Sequence, residues 1–555
     1  MTTSPRAPSQ PPARRPGARR GEARGIRIVS GALACVLLAL PFLLVRSYDA
    51  HRRVVTAQED PPGTSEAVRI PHAGGGSGVR PATHANPVVL AYHDIGRGSR
   101  SRHTVTPQAF EDQLATLARA GYRSLSTSEF LAFLRSGRAP AARTVFITFD
   151  DGTHGLWVHA DRILAKYRMR AAAFLVTGQI GRHRPYYLSW EEIERMRDSG
   201  RWDFENHTHD LHHRAAVDRS GRQESALGAR LWLPDAHRVE TPAEYRQRVG
   251  RDLDLSLRSF EEHGLPRPRL FAFPFSDAPD APDAPARSEA DESAAAGGVH
   301  STDGLLTEML SARFSARLTN HSGRPLPAGA RAAAAGRVQR LVVNRATSTA
   351  DLVAGLARFT ARDPAACTEP LREPTQWERT DGSGHTGLGA LTGQGPYPGR
   401  VGYASAAYLP MGSADWSGYT VTTTIGRLAA PRNNAGLVVR YHSREPVTIT
   451  LSDSYVRVLA GTGDGRREIA RRKLVSGPQH RLRVTVEEKR TVVLVDGSVR
   501  IERMTPHTVT GGDATGGIAL SSRNGDAASP YPRFTSMTVT PAQAEPSAPA
   551  PGTVP

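Results

Sequence analysis

In the stretch “TVFITFDDGTHG”, residues 144–155, a run of β-formers ends in two aspartates and a glycine. Side by side where a buried strand stops, Asp150 and Asp151 repel each other, and burial raises the cost. Such a pair is either a solvated turn or a place where something positive sits. In a parallel α/β barrel the strand ends at the C-terminal face gather the catalytic groups. Neighbouring residues there project in different directions, so one carboxylate can bind a metal while the other faces a substrate or a water. A second cluster, “FENHTHDLHH” at 204–213, holds His207, His209, His212 and His213. Imidazole nitrogen and carboxylate oxygen are common ligands of zinc-like metals. This cluster follows a helix, where the next strand delivers it to the same barrel face. Two carboxylates and two histidines meeting there leave metal positions open for water and substrate. That set suits hydrolysis, in which a metal acidifies bound water and polarises a carbonyl while a carboxylate removes the proton. An Asp-Gly turn and a His-rich surface loop are the bland alternatives.

The elements that must position these residues alternate. “PVVLAYHDI” is a short strand ending in polar groups. “TPQAFEDQLATLARAG” reads as a helix with Thr106 as N-cap, Pro107 in the first turn, Phe110, Leu114 and Leu117 on one face, and Gly121 as stop. “STSEFLAFLRSG” repeats the grammar, with Ser126 and Glu129 as a capping box. “TVFITFDDG” is a strand, “WVHADRILAKYRM” a helix, “AAAFLVTG” a strand and “SWEEIERMRDSG” a helix capped by Ser189. “YRQRVGRDLDLSLRSFEEHG” and “RLFAFPF” continue as helix and strand, and “RVQRLVVNRATSTADLVAGLARF” is the last strand and helix. The β-α-β-α order implies an α/β fold, a parallel sheet with helices outside it. Beyond about residue 370 the pattern switches to short period-two strands, the mark of an all-β sandwich.

The chain has 555 residues and a formal net charge of +17, yet lysine accounts for only three of its 71 basic residues and arginine is spread throughout. We read a general arginine bias and expect no nucleic-acid partner; a basic surface still favours contact with acidic envelope polymers. Of two cysteines, Cys35 lies in an apolar run, so no intramolecular disulfide with Cys367 is expected. Ile28 to Val45 is an uncharged apolar segment just long enough to cross a bilayer, preceded by Arg14, Arg15, Arg19, Arg20, Arg24 and Arg27. That asymmetry predicts a cytoplasmic N-terminus and an outward-facing remainder. An uncleaved signal anchor is preferred to a cleaved signal peptide, which would leave the protein secreted. The expected order is a basic tail (1–25), one transmembrane helix (26–45), a flexible linker (46–85), the α/β domain (86–362) with an acidic low-complexity insertion (276–298), a linker (363–375), the sandwich (376–542) and a disordered tail (543–555).

On these motifs, residues 86–360 resemble the NodB-type polysaccharide deacetylases, carbohydrate esterase family 4. “TFDDG” is similar to the family's first motif, which implies Asp150 as catalytic base and Asp151 as metal ligand. “HTHDLH” resembles the second, implying His207 and His212 as ligands, with Thr208 shaping the loop at the substrate site. His209 and His213 are then bystanders and a fallback pair. “FAFPF”, with Pro274 and Phe275, is similar to the third motif, which lines the substrate groove. The order of elements looks like the PgaB/IcaB-like branch, which acts on poly-β-1,6-N-acetylglucosamine through a permuted barrel. There the general-acid histidine stands in an N-terminal “YH”, here His93, with a satisfied polar residue at a strand end as the alternative reading and His300 and His321 as alternative acids. The resemblance implies a deformed (β/α) barrel and a divalent metal, zinc first, cobalt or nickel as alternatives. It implies N-deacetylation of an extracellular N-acetylglucosamine polysaccharide; peptidoglycan or chitin-like chains, O-deacetylation, or a non-catalytic glycan-binding surface protein are the alternatives. Two departures stand out: Ala272 occupies the place of an arginine that orients the base, and Ser276 replaces a glycine. The second domain looks like a concanavalin-type, laminin-G-like, jelly-roll-like sandwich. Trp416, Tyr419, Tyr441 and Tyr455 could stack on sugars there; core positions and a spacer role are the alternative.

Overall fold

The computed structural model describes Arg46 and residues 86–542, apart from 139–140, 142, 184, 277–302, 321–326, 381–387, 394–401, 430–431, 444, 462–465, 507–514 and 526–527. The expected membrane segment, both tails, nearly all of the 46–85 linker and of the acidic insertion, and His300 and His321 lie outside the described residues. Among the described residues no helix is long and apolar enough to cross a membrane.

The first domain is a parallel near-closed barrel. Its strands are β1 (Val88–Tyr92), β2 (Thr144–Phe149), β3 (Ala171–Leu175), β4 (Trp202–Asn206), β5 (Leu270–Ala272), β6 (Ala316–Thr319), β7 (Arg337–Gln339) and β8 (Leu341–Val342). The spatial order is β7-β6-β5-β4-β3-β2-β1-β8, with Arg123–Ser124 added beside β2. The two outer members, β7 and β8, are consecutive in the chain and separated by Arg340 alone. One stretch of chain therefore meets both edges and draws the sheet round on itself.

Strand β2 is buried at all six positions, as expected for a parallel strand covered on both faces. Val145, Ile147 and Phe149 face outward with Val88, Leu90 and Tyr92, under Phe110, Leu114 and Leu117 of α1 (Pro107–Arg119). Phe146 points inward with Val89, Ala172, Phe174, Leu270, Leu318 and Val338. Helix α2 (Thr127–Ser136) fills that interior, its Phe130 stacked on Phe146 at 4.5 Å. The local grammar holds: Thr106 caps α1, and Ser126 with Glu129 closes a capping box on α2. The helix expected from Trp157 starts instead as a π-turn, Leu156–Ala160, before α3 (Asp161–Lys166). Gly155, at its entry, is packed so closely against Ile95 and Asp94 that a Cβ would sit 2.2 Å from the Ile95 carbonyl oxygen. Ser189 closes a second capping box, on α4 (Trp190–Asp198), and Thr241 caps the long α5 (Pro242–Glu262), which starts three residues before the expected tyrosine.

The second domain pairs a seven-stranded and a five-stranded antiparallel sheet around one apolar core. Cys367 is buried in that core and unpaired, so the expected 363–375 linker packs against the sheets rather than hanging free. Trp416, Tyr419 and Tyr441 are at most 8% exposed. The Trp416 indole donates to the Arg362 carbonyl, and the Tyr419 hydroxyl donates to Gly516. These three rings are core residues and form no sugar platform; Tyr455 is half-buried under the Arg471 guanidinium at 4.4 Å.

Candidate active site

Three of the expected residues converge on one point. The candidate ligand atoms of Asp151, His207 and His212 lie within 4.8 Å of one another. Asp151 Oδ1 is 3.5 Å from His207 Nε2 and 3.3 Å from His212 Nε2. Asp151 stands just past the end of β2 at φ 73°, followed by Gly152 at φ 76°. A left-handed conformation is uncommon for a side-chain-bearing residue, and here it turns Asp151 away from Asp150.

His207 is the first residue past β4. Its Nδ1 lies 2.8 Å from the Ala272 carbonyl oxygen. A carbonyl only accepts, so Nδ1 carries the proton and the Nε2 lone pair faces Asp151. The position where the family motif has an arginine thus serves this site through its backbone. The loop that carries His212 is tied to α5: Asp252 accepts from the His209 and Asp210 N–H groups at 2.9 and 2.7 Å. His209 Nδ1 bonds Thr177 and His213 Nδ1 bonds the Asp210 carbonyl, so neither joins the cluster. Thr208 is fully buried at φ 75°; it shapes the loop and has no surface with which to touch a substrate, which corrects its expected place among the substrate-binding residues. Pro274 is buried, while Phe275 is 40% exposed beside the His212 ring, under the Arg214 guanidinium.

Asp150 lies beside this cluster and is held by a residue that its neighbourhood in sequence does not announce. Arg340 Nη1 and Nη2 donate to its two carboxylate oxygens at 2.7 Å each. The same guanidinium donates to Thr148 Oγ1 and, through Nε, to Asn320 Oδ1. In “RVQRLVV” Arg340 follows Arg337 by three residues, and an arginine among apolar strand residues signals only that it needs a partner, not which one. His93, the residue after β1, stands with Nε2 3.9 Å from Asp150 Oδ2, the oxygen that Arg340 Nη2 also bonds.

Electrostatics follow this layout. Burial pushes the Asp150 carboxyl up, but Arg340, His207 and His93 outweigh it and hold it below its ordinary value. Burial also opposes ionisation of Asp151, and the surrounding histidines again win. His212 is pushed down to about 4 by burial and by His207. His207 is raised, because the neighbouring Asp151 and Asp150 carboxylates exceed its burial cost. Asp151 Oδ1 is buried and has no hydrogen-bond partner among the described residues. An orphaned carboxylate oxygen facing two imidazole Nε2 atoms fits a divalent cation, which would supply the missing positive partner.

Residues 137–288 match the family model described as polysaccharide deacetylase. The chain is 30% identical over 193 residues to the poly-β-1,6-N-acetyl-D-glucosamine N-deacetylase of Staphylococcus aureus, covering 33% of this chain and 64% of that protein. It is 37% identical over 113 residues to the protein of the same name from Staphylococcus epidermidis, covering 20% and 39% respectively. The chain thus covers less than two thirds of the length of these relatives. Among solved structures it is similar to IcaB from Ammonifex degensii, at 24% identity and a TM-score of 0.36, over 49% of this chain and 97% of that one. The segment that matches the polysaccharide deacetylase model spans both aspartates, the histidine loop and Phe275.

Proposed function

We propose that this chain is a metal-dependent polysaccharide N-deacetylase that acts on an N-acetylglucosamine polymer outside the cell, with a poly-β-1,6-N-acetylglucosamine-like chain favoured. One observation carries the reading: an ionised, arginine-clamped Asp150 stands beside three residues whose free ligand atoms face one another. A divalent metal held by Asp151, His207 and His212, zinc first with cobalt or nickel as alternatives, would polarise the acetyl carbonyl and acidify the attacking water. Asp150 takes the proton from that water as its oxygen adds to the carbonyl carbon. Arg340 keeps Asp150 ionised and fixes both oxygens, so the carboxylate meets the water in one orientation. His93 gives its proton to the sugar nitrogen as the carbon–nitrogen bond breaks, because an unprotonated amine is a poor leaving group. Acetate and a free amine are the products. Phe275, exposed next to His212, offers an apolar face for a sugar ring.

The order of parts supports an envelope protein. The apolar segment from Ile28 to Val45 with seven arginines before it favours a single-pass anchor with residues 86–362 as the catalytic part and 376–542 outside with it. The antiparallel domain serves as a spacer or as a glycan-binding module through a surface other than its buried aromatics. The test is acetate release: the purified protein, loaded with zinc or cobalt, is expected to free acetate from N-acetylglucosamine polymers, most from the β-1,6-linked one. Activity surviving in Asp150→Ala would sink the mechanism. No acetate from any such polymer would favour a glycan-binding protein without catalysis.

A further inference from the structure

His93 and His103 each stand one residue before a two-residue strand, Asp94–Ile95 and Thr104–Val105. These strands pair in parallel with Asp94 opposite Thr104. Residues opposed across a ladder leave the same face, so the two histidines preceding them are set side by side. The Asp94 N–H donates to the His103 carbonyl at 3.3 Å. The Asp94 carboxylate accepts from Thr104 and from Thr153, which ties both strands to the turn after β2. The outcome is two imidazoles with centroids 4.6 Å apart, inclined at 49°.

Arg102 Nε donates to His103 Nε2 at 3.0 Å. A ring nitrogen that accepts has no proton, so His103 is neutral with its proton on Nδ1. Charging it would break that bond and set a cation between Arg102 and His93. Burial, then His93 and Arg102, hold its pKa below the usual histidine value, against the opposing pull of Asp151 and Asp150. His93 directs Nε2 toward Asp150, while its Nδ1 is buried and bonds no group among the described residues. A histidine that moves protons is ordinarily oriented by a carboxylate or carbonyl on its far nitrogen. At His93 the ring of His103 lies alongside instead, its centroid 4.6 Å away.

We propose that His103 is a positioning residue for His93: a neutral ring, pinned by Arg102, that fixes the orientation in which His93 meets Asp150 and the departing amine. This rests on the deacetylation proposed above, with His93 as proton donor. The charged groups acting on His103 include Asp150 and Asp151 from the turn after β2 and Arg102 from its own segment; Asp94, next to His93, stands on the same ladder, and Arg340 and His207 act on Asp150.

The experiment compares acetate release by the full metal-loaded chain across pH for wild type, His103→Ala, His103→Phe, His103→Lys and His93→Ala, with melting curves for each. His103→Phe keeps a neutral ring but loses the bond from Arg102, so it is expected to recover only part of the kcat that His103→Ala loses, about tenfold or more with KM nearly unchanged. His103→Lys puts a permanent charge beside His93 and should move the alkaline limb of kcat down by roughly one pH unit. Should Ala match wild type, Phe be as impaired as Ala, or a folded Lys variant leave the limb in place, the proposal is overturned. A fully active His93→Ala would instead remove the proton donor from the deacetylation reading itself, so the two failures are distinguishable.

Discussion

Arg340 and Asp150 are 190 residues apart in the chain and joined by two hydrogen bonds of 2.7 Å, with neither side chain more than 2% exposed. Arg340 is the residue between β7 and β8, so the step that closes the barrel also aims the guanidinium at the carboxylate. Fold closure and the arming of the proposed base are one event.

Arg340→Met should therefore show in two measurements. Removing one partner of a buried ion pair leaves an uncompensated charge and is expected to cost about 3–5 kcal/mol in chemical denaturation. The Asp150 pKa, now held below its ordinary 3.8, should rise, carrying the acid limb of the activity profile to higher pH. The pair's stabilisation is fully present above 3.8 and is lost as pH falls through the lower folded value. Adding Asp150→Asn to Arg340→Met should recover much of the stability and none of the activity; equal stability of wild type and the single variant would contradict the clamp.

Asp150→Asn alone separates base from ligand. It should retain the bound metal of the wild type while acetate release falls by about 100- to 10,000-fold, the usual worth of a positioned general base. Loss of metal in this variant, read by elemental analysis, would place Asp150 among the ligands instead.

Asp151→Asn, His207→Ala and His212→Ala are each expected to lose both metal and activity, and a chelator should abolish wild-type activity reversibly. Metal binding should raise the melting temperature, a stabilisation of about 2.7 kcal/mol at a hundredfold excess over Kd. Ligand histidines bind metal only when neutral. Affinity should weaken as pH falls through the raised pKa of His207, with His212, neutral down to about 4, contributing only below that. A pH-independent affinity across the neutral range would argue against His207 as ligand.

Glu205 makes a prediction about stability rather than catalysis. Strands β4 and β5 pair only at Phe271 and Asn206. Below that point the Glu205 carboxyl, inside the barrel, accepts from the Arg269 and Leu270 N–H groups at 2.7 Å each. Burial pushes its pKa up to about 8 in spite of these donors. The folded state thus keeps a proton that the unfolded chain releases above its ordinary 4.5, and stability should decline as pH rises from there to about 8, then level off. Glu205→Gln should flatten that slope in denaturation curves; an unchanged slope would mean that the carboxyl is ionised in the fold.

Much of the site was legible in local sequence. Capping at Thr106, Ser126 and Ser189 and the alternation of strands and helices are short-range signals, written by side chains that satisfy backbone groups a few residues away. The aspartate pair and the histidines were legible for a similar reason, since candidate ligands carried on one loop keep a fixed spacing. His209 and His213 could be set aside only when the loop's bonds to Thr177 and Asp210 were visible.

By itself, the sequence determined the class of both domains, the two carboxylates with separate places, and the histidine loop that meets them. The tertiary structure alone decided that Arg340, far along the chain, clamps Asp150, that His103 lies on His93, that Thr208 is sealed inside its loop, and that Trp416, Tyr419 and Tyr441 are core. The physical reason is shared. Periodicity and caps record which face of an element is apolar, whereas a guanidinium reaching a carboxylate from the opposite edge of a sheet depends on where that sheet closes, and closure leaves no local trace in the residues that it joins.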